Sequence, residues 1–311
     1  MVTKNIKYFS LRKIMESGQI FRMYEPEEGH FIVYSGERRL ELNQEGEKVE
    51  FLCSEDEYSG YWEEYFDLKR DYGEIVRKAE AENSEKTSRG SEFLMHACEY
   101  GADIRVLKQD VWEMMISFII SQQKQIPSIR KCIEALCERF GEKRGWNCFP
   151  TADAIASGGS DGLKGLSLGY RERYIYETAV KFVADEMNSE KIRKMPASEV
   201  KKYLCSFTGI GEKVADCVCL FGVGLADSFP IDVHIKDILY REFIPKERQN
   251  EIEKTLISKS SIEEVGRKKL LDSISYQDYM KIVDEEFSGF KGVRGIVQQW
   301  IFAYEINAKQ Q

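Results

Sequence analysis

No stretch of this 311-residue chain is apolar enough to cross a bilayer. Runs such as Met114–Ile120 fall well short of the roughly 20 residues that a spanning helix needs. The first residues, MVTKNIKYFSLRKIMESG, carry neither the apolar core nor the cleavage site of a signal peptide. Histidine is scarce, with three in all. The eight cysteines are scattered, and only Cys217 and Cys219 lie close together. With no Cys-x-x-Cys pair, a zinc ribbon or finger is excluded, and the pattern suits a reduced, cytoplasmic protein without membrane attachment.

A basic excess is also lacking, since the formal charge is −8. The deficit is local. Residues 1–100 hold 14 basic and 22 acidic side chains, whereas residues 101–311 hold 31 of each. The segment 121–145 has six basic and three acidic residues. Phosphate binding depends on the local field and on backbone donors, so the global sign does not exclude a nucleic-acid ligand.

What is present centres on residues 204–234, LCSFTGIGEKVADCVCLFGVGLADSFPIDVH. An apolar helix end is followed by the turn Thr208–Gly209–Ile210–Gly211 and by a second helix from Glu212 to about Phe221. Gly209 and Gly211 permit positive φ. A Gly-x-Gly turn feeding a helix presents N–H groups that lack intrahelical partners, a setting that binds phosphate. Lys213 lies in the first turn of the second helix, and Cys217 follows on the same face. A lysine amine beside an anion site is a nucleophile able to form a Schiff base when neutral. Bland readings exist: Lys213 could pair with Glu212 or Asp216 as a solvated charge. Asp232, nineteen positions after the lysine, suits both a helix N-cap and a buried carboxylate.

The remaining pattern is mixed. Alternation at Phe31/Val33, Leu40/Leu42 and Val49/Phe51/Cys53, with turns at Ser35–Gly36 and Asn43–Gly46, predicts an antiparallel meander with one buried face. Tyr58, Tyr61, Trp62, Tyr65 and Phe66 form an aromatic stripe that suits a core. Ala79–Ser91 is polar and reads as a loop within a helix pair rather than a linker between domains, and residues 246–285 read as two or three surface helices. From Ile104 onward the periodicity is helical, opening on Asp110 as an N-cap.

The hairpin, its lysine, the Gly/Pro-containing loop and the aspartate together resemble the helix-hairpin-helix (HhH-GPD) DNA glycosylase superfamily. TGIGEKVADCVCLFG and PIDVH are similar to its 8-oxoguanine DNA glycosylase/AP lyase branch. Four further segments resemble that branch in order: SGQIFRM, FIISQQKQ, LGYRERY and the helix holding Gln298 and Phe302.

The resemblance implies an α+β, predominantly α-helical fold. An N-terminal antiparallel (TBP-like) sheet domain would cover residues 1–103, and two helical subdomains with a cleft between them would cover 104–311. It implies a DNA glycosylase with AP lyase activity that acts as a monomer on double-stranded DNA containing 8-oxoguanine or abasic sites. Lys213 and Asp232 take the catalytic places. Gly18, Cys217, Phe221, Gln298 and Phe302 would meet the base. Gln123 stands where human-type enzymes carry an asparagine and would fill the gap left by the extruded base, with Tyr170 and Arg171 beside the orphaned partner. Gly209, Gly211 and His234 would grip phosphates. A monovalent cation would rest on the carbonyls of Cys205, Phe207 and Ile210. With Cys219 the last cysteine, the C-terminal iron–sulfur cluster of some relatives has no ligands, and no other cofactor is implied. The competing readings are an alkylpurine glycosylase of the same superfamily and a non-catalytic helix-hairpin-helix DNA-binding protein.

Overall fold

The computed structural model describes residues 1–85, 89–260 and 266–308. They form two compact units, and neither is a continuous stretch. The first comprises Met1–Tyr72 and Asp103–Ser228, the second Gly73–Ala102 and Phe229–Gln311. The sheet expected as a domain over residues 1–103 therefore packs in one unit with helices from the middle of the chain, while residues 73–102 join the C-terminal helices. The reason is burial. One face of a sheet needs an apolar cover, and the nearest sequence does not supply all of it.

In the first unit, β1 (Val2–Asn5), β2 (Met23–Glu27), β3 (His30–Ser35), β4 (Arg38–Glu45) and β5 (Lys48–Phe51) form an antiparallel sheet in the order β1-β5-β4-β3-β2. The alternation seen in the sequence is the cause. Phe31, Val33, Leu40, Leu42, Val49 and Phe51 all point to the buried face. The aromatic stripe closes over that face: the Phe51 ring lies 5.0 Å from Tyr58 and 5.9 Å from Phe66.

Beside the sheet runs the helix Val111–Ser121, in which every residue from Val111 to Ile120 is buried. Asp110 caps it, accepting the Glu113 N–H at 2.9 Å. Trp112 donates through Nε1 to the Pro150 carbonyl at 2.8 Å. Glu113 is an acid in this apolar helix, and its Oε2 accepts the Gly36 N–H at 2.7 Å, tying the β3–β4 turn to the helix. Burial raises its carboxyl from 4.5 to about 7, against the opposing effects of Arg22 and the Gly36 N–H.

In the second unit, helices Tyr72–Glu85 and Arg89–Gly101 occupy most of the polar stretch expected to be a loop. Only residues 86–88 of that stretch lie outside the described residues. The unit is completed by Val233–Ile238, Lys246–Ser260, Arg267–Asp272, Tyr276–Glu286 and Arg294–Ala308. Trp300, Phe287, Phe290 and Tyr279 are fully buried in its core. No described helix is long and apolar enough to cross a membrane.

The Glu113 carboxyl holds its proton more tightly in the folded chain than in the unfolded one. Stability is therefore expected to fall as pH rises from 4.5 to about 7, by about 3 kcal/mol from this group. Urea unfolding across that range should show the slope in the wild type and lose it in Glu113→Gln; an unchanged slope would place the proton elsewhere.

Candidate active site and nucleic-acid interface

The first helix of the hairpin is Ala197–Cys205 and the second Glu212–Val218, continued through a wider turn to Val223. Gly222 lies inside that continuation, and the helical run ends at Gly224 in the left-handed conformation. Between the two helices Gly209 has φ +83°, and a Cβ there would meet Tyr174 Cδ2 at 2.4 Å. Gly209 is thus required twice, by its backbone and by the close approach of Tyr174. Gly211 differs from the expectation of positive φ. Its φ is −94°, which any residue adopts, and no atom lies within 4 Å of where a Cβ would be. As the residue before the helix it offers no side-chain cap, so the first-turn amides are left for another acceptor.

Lys213 does not take either bland partner. Lys201, on the first hairpin helix, reaches across to Glu212 at 2.7 Å and Asp216 at 3.0 Å. Among the described residues of its own unit Lys213 has no ion-pair partner, and its Nζ stands 5.5 Å from the centre of the Phe118 ring. Phe118 also stacks on Phe221 at 5.6 Å with 17° between the planes, and meets Phe21 edge-on at 5.8 Å. Cys217 is buried on the same helix as the lysine.

Gly18 has φ +81° and heads the loop that delivers Phe21. The loop is anchored by a fully buried glutamine, Gln19. Its Oε1 accepts the Leu107 N–H at 2.8 Å, and its Nε2 donates to the Arg105 carbonyl at 3.0 Å. Gln109 then links the two chemical walls. Its Nε2 donates to the Gln19 carbonyl at 2.9 Å and its N–H to the Phe221 carbonyl at 2.7 Å. Gly18, Lys213, Cys217 and Phe221 thus belong to one hydrogen-bonded and stacked framework.

The segments expected to read DNA meet at Gln122. Its Nε2 donates to the Gly209 carbonyl at 2.7 Å. Its own carbonyl accepts from Arg171 Nε at 3.1 Å and also from Nη2. Lys124 Nζ adds a bond to the Ser167 carbonyl at 2.9 Å. Arg171 is 6 % exposed and is spent on this framework, with Nη1 on the Leu168 carbonyl at 2.9 Å and the guanidinium 4.4 Å from the Tyr170 ring. Tyr170 is 47 % exposed. Gln123 is exposed and holds φ +53°, a strained conformation for a side chain other than glycine.

In the second unit Asp232 is an N-cap, with extended backbone and Oδ1 accepting the Ile235 N–H at 2.8 Å. Its other oxygen takes no hydrogen bond among the described residues of that unit. His234, in the first turn of the helix it caps, is exposed, and its ring lies 6.0 Å from that of Phe302. Gln298 is 4 % exposed, and its Oε1 has no hydrogen-bond partner among the described residues. A buried acceptor left open costs about 1–3 kcal/mol.

Comparison with known proteins completes this geometry. Residues 1–115 match the N-terminal domain of 8-oxoguanine DNA glycosylase, and residues 116–261 match the HhH-GPD superfamily of base excision DNA repair proteins. A solved structure of Clostridium acetobutylicum 8-oxoguanine glycosylase/lyase, in complex with double-stranded DNA containing cytosine opposite 8-oxoG, is 30% identical. It superposes with a TM-score of 0.77 over 98% of this chain and 94% of its own. The chain belongs to the 8-oxoguanine DNA glycosylase/lyase family.

Within this glycosylase/lyase family, the Saccharomyces cerevisiae N-glycosylase/DNA lyase is 35% identical over 184 residues, 54% of this chain and 49% of the yeast protein. The match to the Arabidopsis thaliana N-glycosylase/DNA lyase OGG1 is 29% identical and covers 45% of this chain and 41% of the plant protein. The chain therefore spans about half the length of these curated relatives. The 3-methyladenine DNA glycosylase of Archaeoglobus fulgidus, at 20% identity and a TM-score of 0.61 with 98% of each chain covered, shares the fold.

Among the residues that the sequence did not single out are Phe118, Gln19, Gln109 and Gln122. Phe118 was hidden in an apolar run that reads as core. The glutamines carry no local signal, because their partners are distant in the chain.

The two hairpin glycines should separate on substitution. Gly209→Ala is expected to cost about 2 kcal/mol or more, from its left-handed backbone and from Tyr174. Gly211→Ala should keep stability within about 0.5 kcal/mol. Thermal unfolding of both variants decides this, and equal losses would refute the assignment.

Proposed function

We propose that this protein excises 8-oxoguanine from duplex DNA and then cleaves the strand at the resulting site. The observation that carries the proposal is Lys213. It stands in the first turn of the hairpin helix, released from ion pairing in its unit and held over an aromatic ring.

The damaged nucleotide must leave the stack, because its glycosidic carbon is shielded within the duplex. Tyr170 supplies an exposed aromatic face beside the Gln123 turn, suited to wedging a base step. Gln123 fills the vacated space, and Arg171 fixes the shape of the turn that presents it. Gly209 and Gly211 bring the uncapped amides of the hairpin to backbone phosphate, and His234 adds a donor on the second unit. On the first unit, Cys217, Phe221 and the Gly18 carbonyl are assigned to contact with the extruded purine. On the second unit, the open Gln298 Oε1 is an acceptor suited to a donor on a purine edge, and Phe302 is a ring suited to stacking.

Lys213 in its neutral form attacks C1′ while the bond from C1′ to the base breaks. The base leaves with the electron pair and takes up a proton. Asp232 stabilises the cationic character of the sugar in that step. Ring opening gives an imine between Lys213 and the sugar, and loss of a C2′ proton expels the 3′ phosphate. The lysine is freed when water hydrolyses the imine.

The carbonyls of Cys205, Phe207 and Ile210 form an all-oxygen donor set suited to a hard cation. Phe207 already accepts the Ile210 N–H at 3.1 Å, which leaves its second lone pair. We assign these residues as holders of a monovalent cation that rigidifies the turn.

Borohydride reduction should trap wild-type protein covalently on 8-oxoguanine duplex DNA. Lys213→Gln should abolish trapping; undiminished trapping would name another nucleophile. Asp232→Asn keeps a good N-cap but removes the charge, so it should retain stability while excision drops by at least tenfold. Full excision would leave the aspartate a cap alone.

Gln298→Met replaces the open acceptor by an apolar group. It is expected to raise stability by about 1 kcal/mol while slowing single-turnover excision of 8-oxoguanine. A variant that is less stable and equally fast would remove Gln298 from base recognition.

A further inference from the structure

The first unit holds a cavity of about 890 Å³ that none of the residues assigned above lines. Its floor is apolar, built from Trp112, Phe149 and Phe182, with Trp112 and Phe182 ring centres 4.8 Å apart. Half-buried Phe140 and Met187 form its walls. The rim carries Glu37, Glu142, Asp153 and Glu186, all exposed, and no lysine, arginine or histidine lines it. Arg144 bridges Glu37 at 2.8 Å and Glu142 at 2.9 Å from outside the lining. Asp153 and Glu186 have no ion-pair partner among the described residues. Lys191 Nζ donates to the Glu186 carbonyl at 2.6 Å, so four rim acids stand against two nearby cations, and the opening combines an apolar seat with a net negative rim.

Its position follows from three helices. Val111–Ser121 places Trp112 in the cavity floor and Gln122 just past its other end. At 1.5 Å per residue these are about 15 Å apart. Arg171–Ala184 carries Tyr170 before one end and Phe182 near the other, about 18 Å away. Ile126–Phe140 starts after Gln125 and ends at Phe140, a span of about 22 Å. The cavity thus lies at the far end of this unit from the Gln123 and Tyr170 turns. Its acidic rim repels a phosphate backbone.

We propose that this cavity docks a partner protein through a lysine- or arginine-rich segment carrying a bulky apolar side chain. The apolar side chain fills the seat over Trp112 and Phe182, and the flanking cations meet Asp153 and Glu186. Charge selects the partner, and burial of the anchor holds it. Such a partner can be held while the opposite end of the unit works on DNA.

The probe is a fluorescein-labelled hexapeptide with blocked ends, Lys-Lys-Leu-Phe-Lys-Lys, titrated with the full chain and read by anisotropy. Saturable binding is expected, at least tenfold weaker when Leu-Phe is replaced by Ser-Ser. It should also weaken at least tenfold in the Asp153→Lys/Glu186→Lys variant, and by a smaller factor in Asp153→Asn/Glu186→Gln. Both variants should keep the wild-type excision rate, and the thermal midpoint should fall by no more than a few degrees, since Asp153 lies in the first turn of its helix. Absent saturation, equal binding of the serine peptide, or equal binding by the charge-reversed protein overturns the proposal. Concentration-dependent self-association that the charge reversal abolishes also overturns it, because the occupant would then be a second copy of this chain.

Discussion

Phe118 stacks on Phe221, and the chemical half of the first unit is organised around that contact. Phe118 belongs to a helix buried over its whole length to Ile120, so the ring has no freedom to drift. Lys213 stands over one side of it and Phe21 meets it edge-on. A lysine amine on a flexible stem can serve the nucleophilic role proposed for it only where it returns to one place. The rigid ring beneath it and the diversion of Glu212 and Asp216 to Lys201 together provide this. An ammonium paired with either acid would be held away from the ring.

Polar groups take the same logic further. Gln19, Gln109 and Gln122 are amide side chains that link distant backbone segments, and each connects a part of the site to its support. Arg171 is the most informative case. Its guanidinium would read as a surface charge on sequence, yet it is buried against the carbonyls of Gln122 and Leu168. Its role in the free protein is to hold the turn on which Gln123 is strained. The open Gln298 Oε1 is the complementary feature, a buried acceptor that carries the cost of an unmade hydrogen bond.

Net charge says little about the field at the hairpin. The acidic excess lies in residues 1–100, whereas the hairpin offers uncapped amides at a helix start. Backbone donors act over a few ångströms, where a distant carboxylate is screened by solvent and salt. An acidic chain can therefore carry uncapped helix-start amides of the kind that suit phosphate.

The sequence by itself determined the sheet with one buried face, the hairpin and its lysine, the capping aspartate and the family. Each of these is written in short-range signals: period-two alternation, a Gly-x-Gly turn, a helix-start residue and contiguous motifs. It did not reveal that Gly211 needs no positive φ, that Ala79–Glu85 is helical, or that residues 73–102 leave the sheet for the second unit. Nor did it show that Gln122 joins three segments, one of them 87 positions away. Tertiary structure decided these points, because a hydrogen bond or a ring contact between distant residues leaves no pattern in either neighbourhood. Lys213 was legible from its place in the hairpin; what holds its amine was decided by side chains that only folding brings beside it.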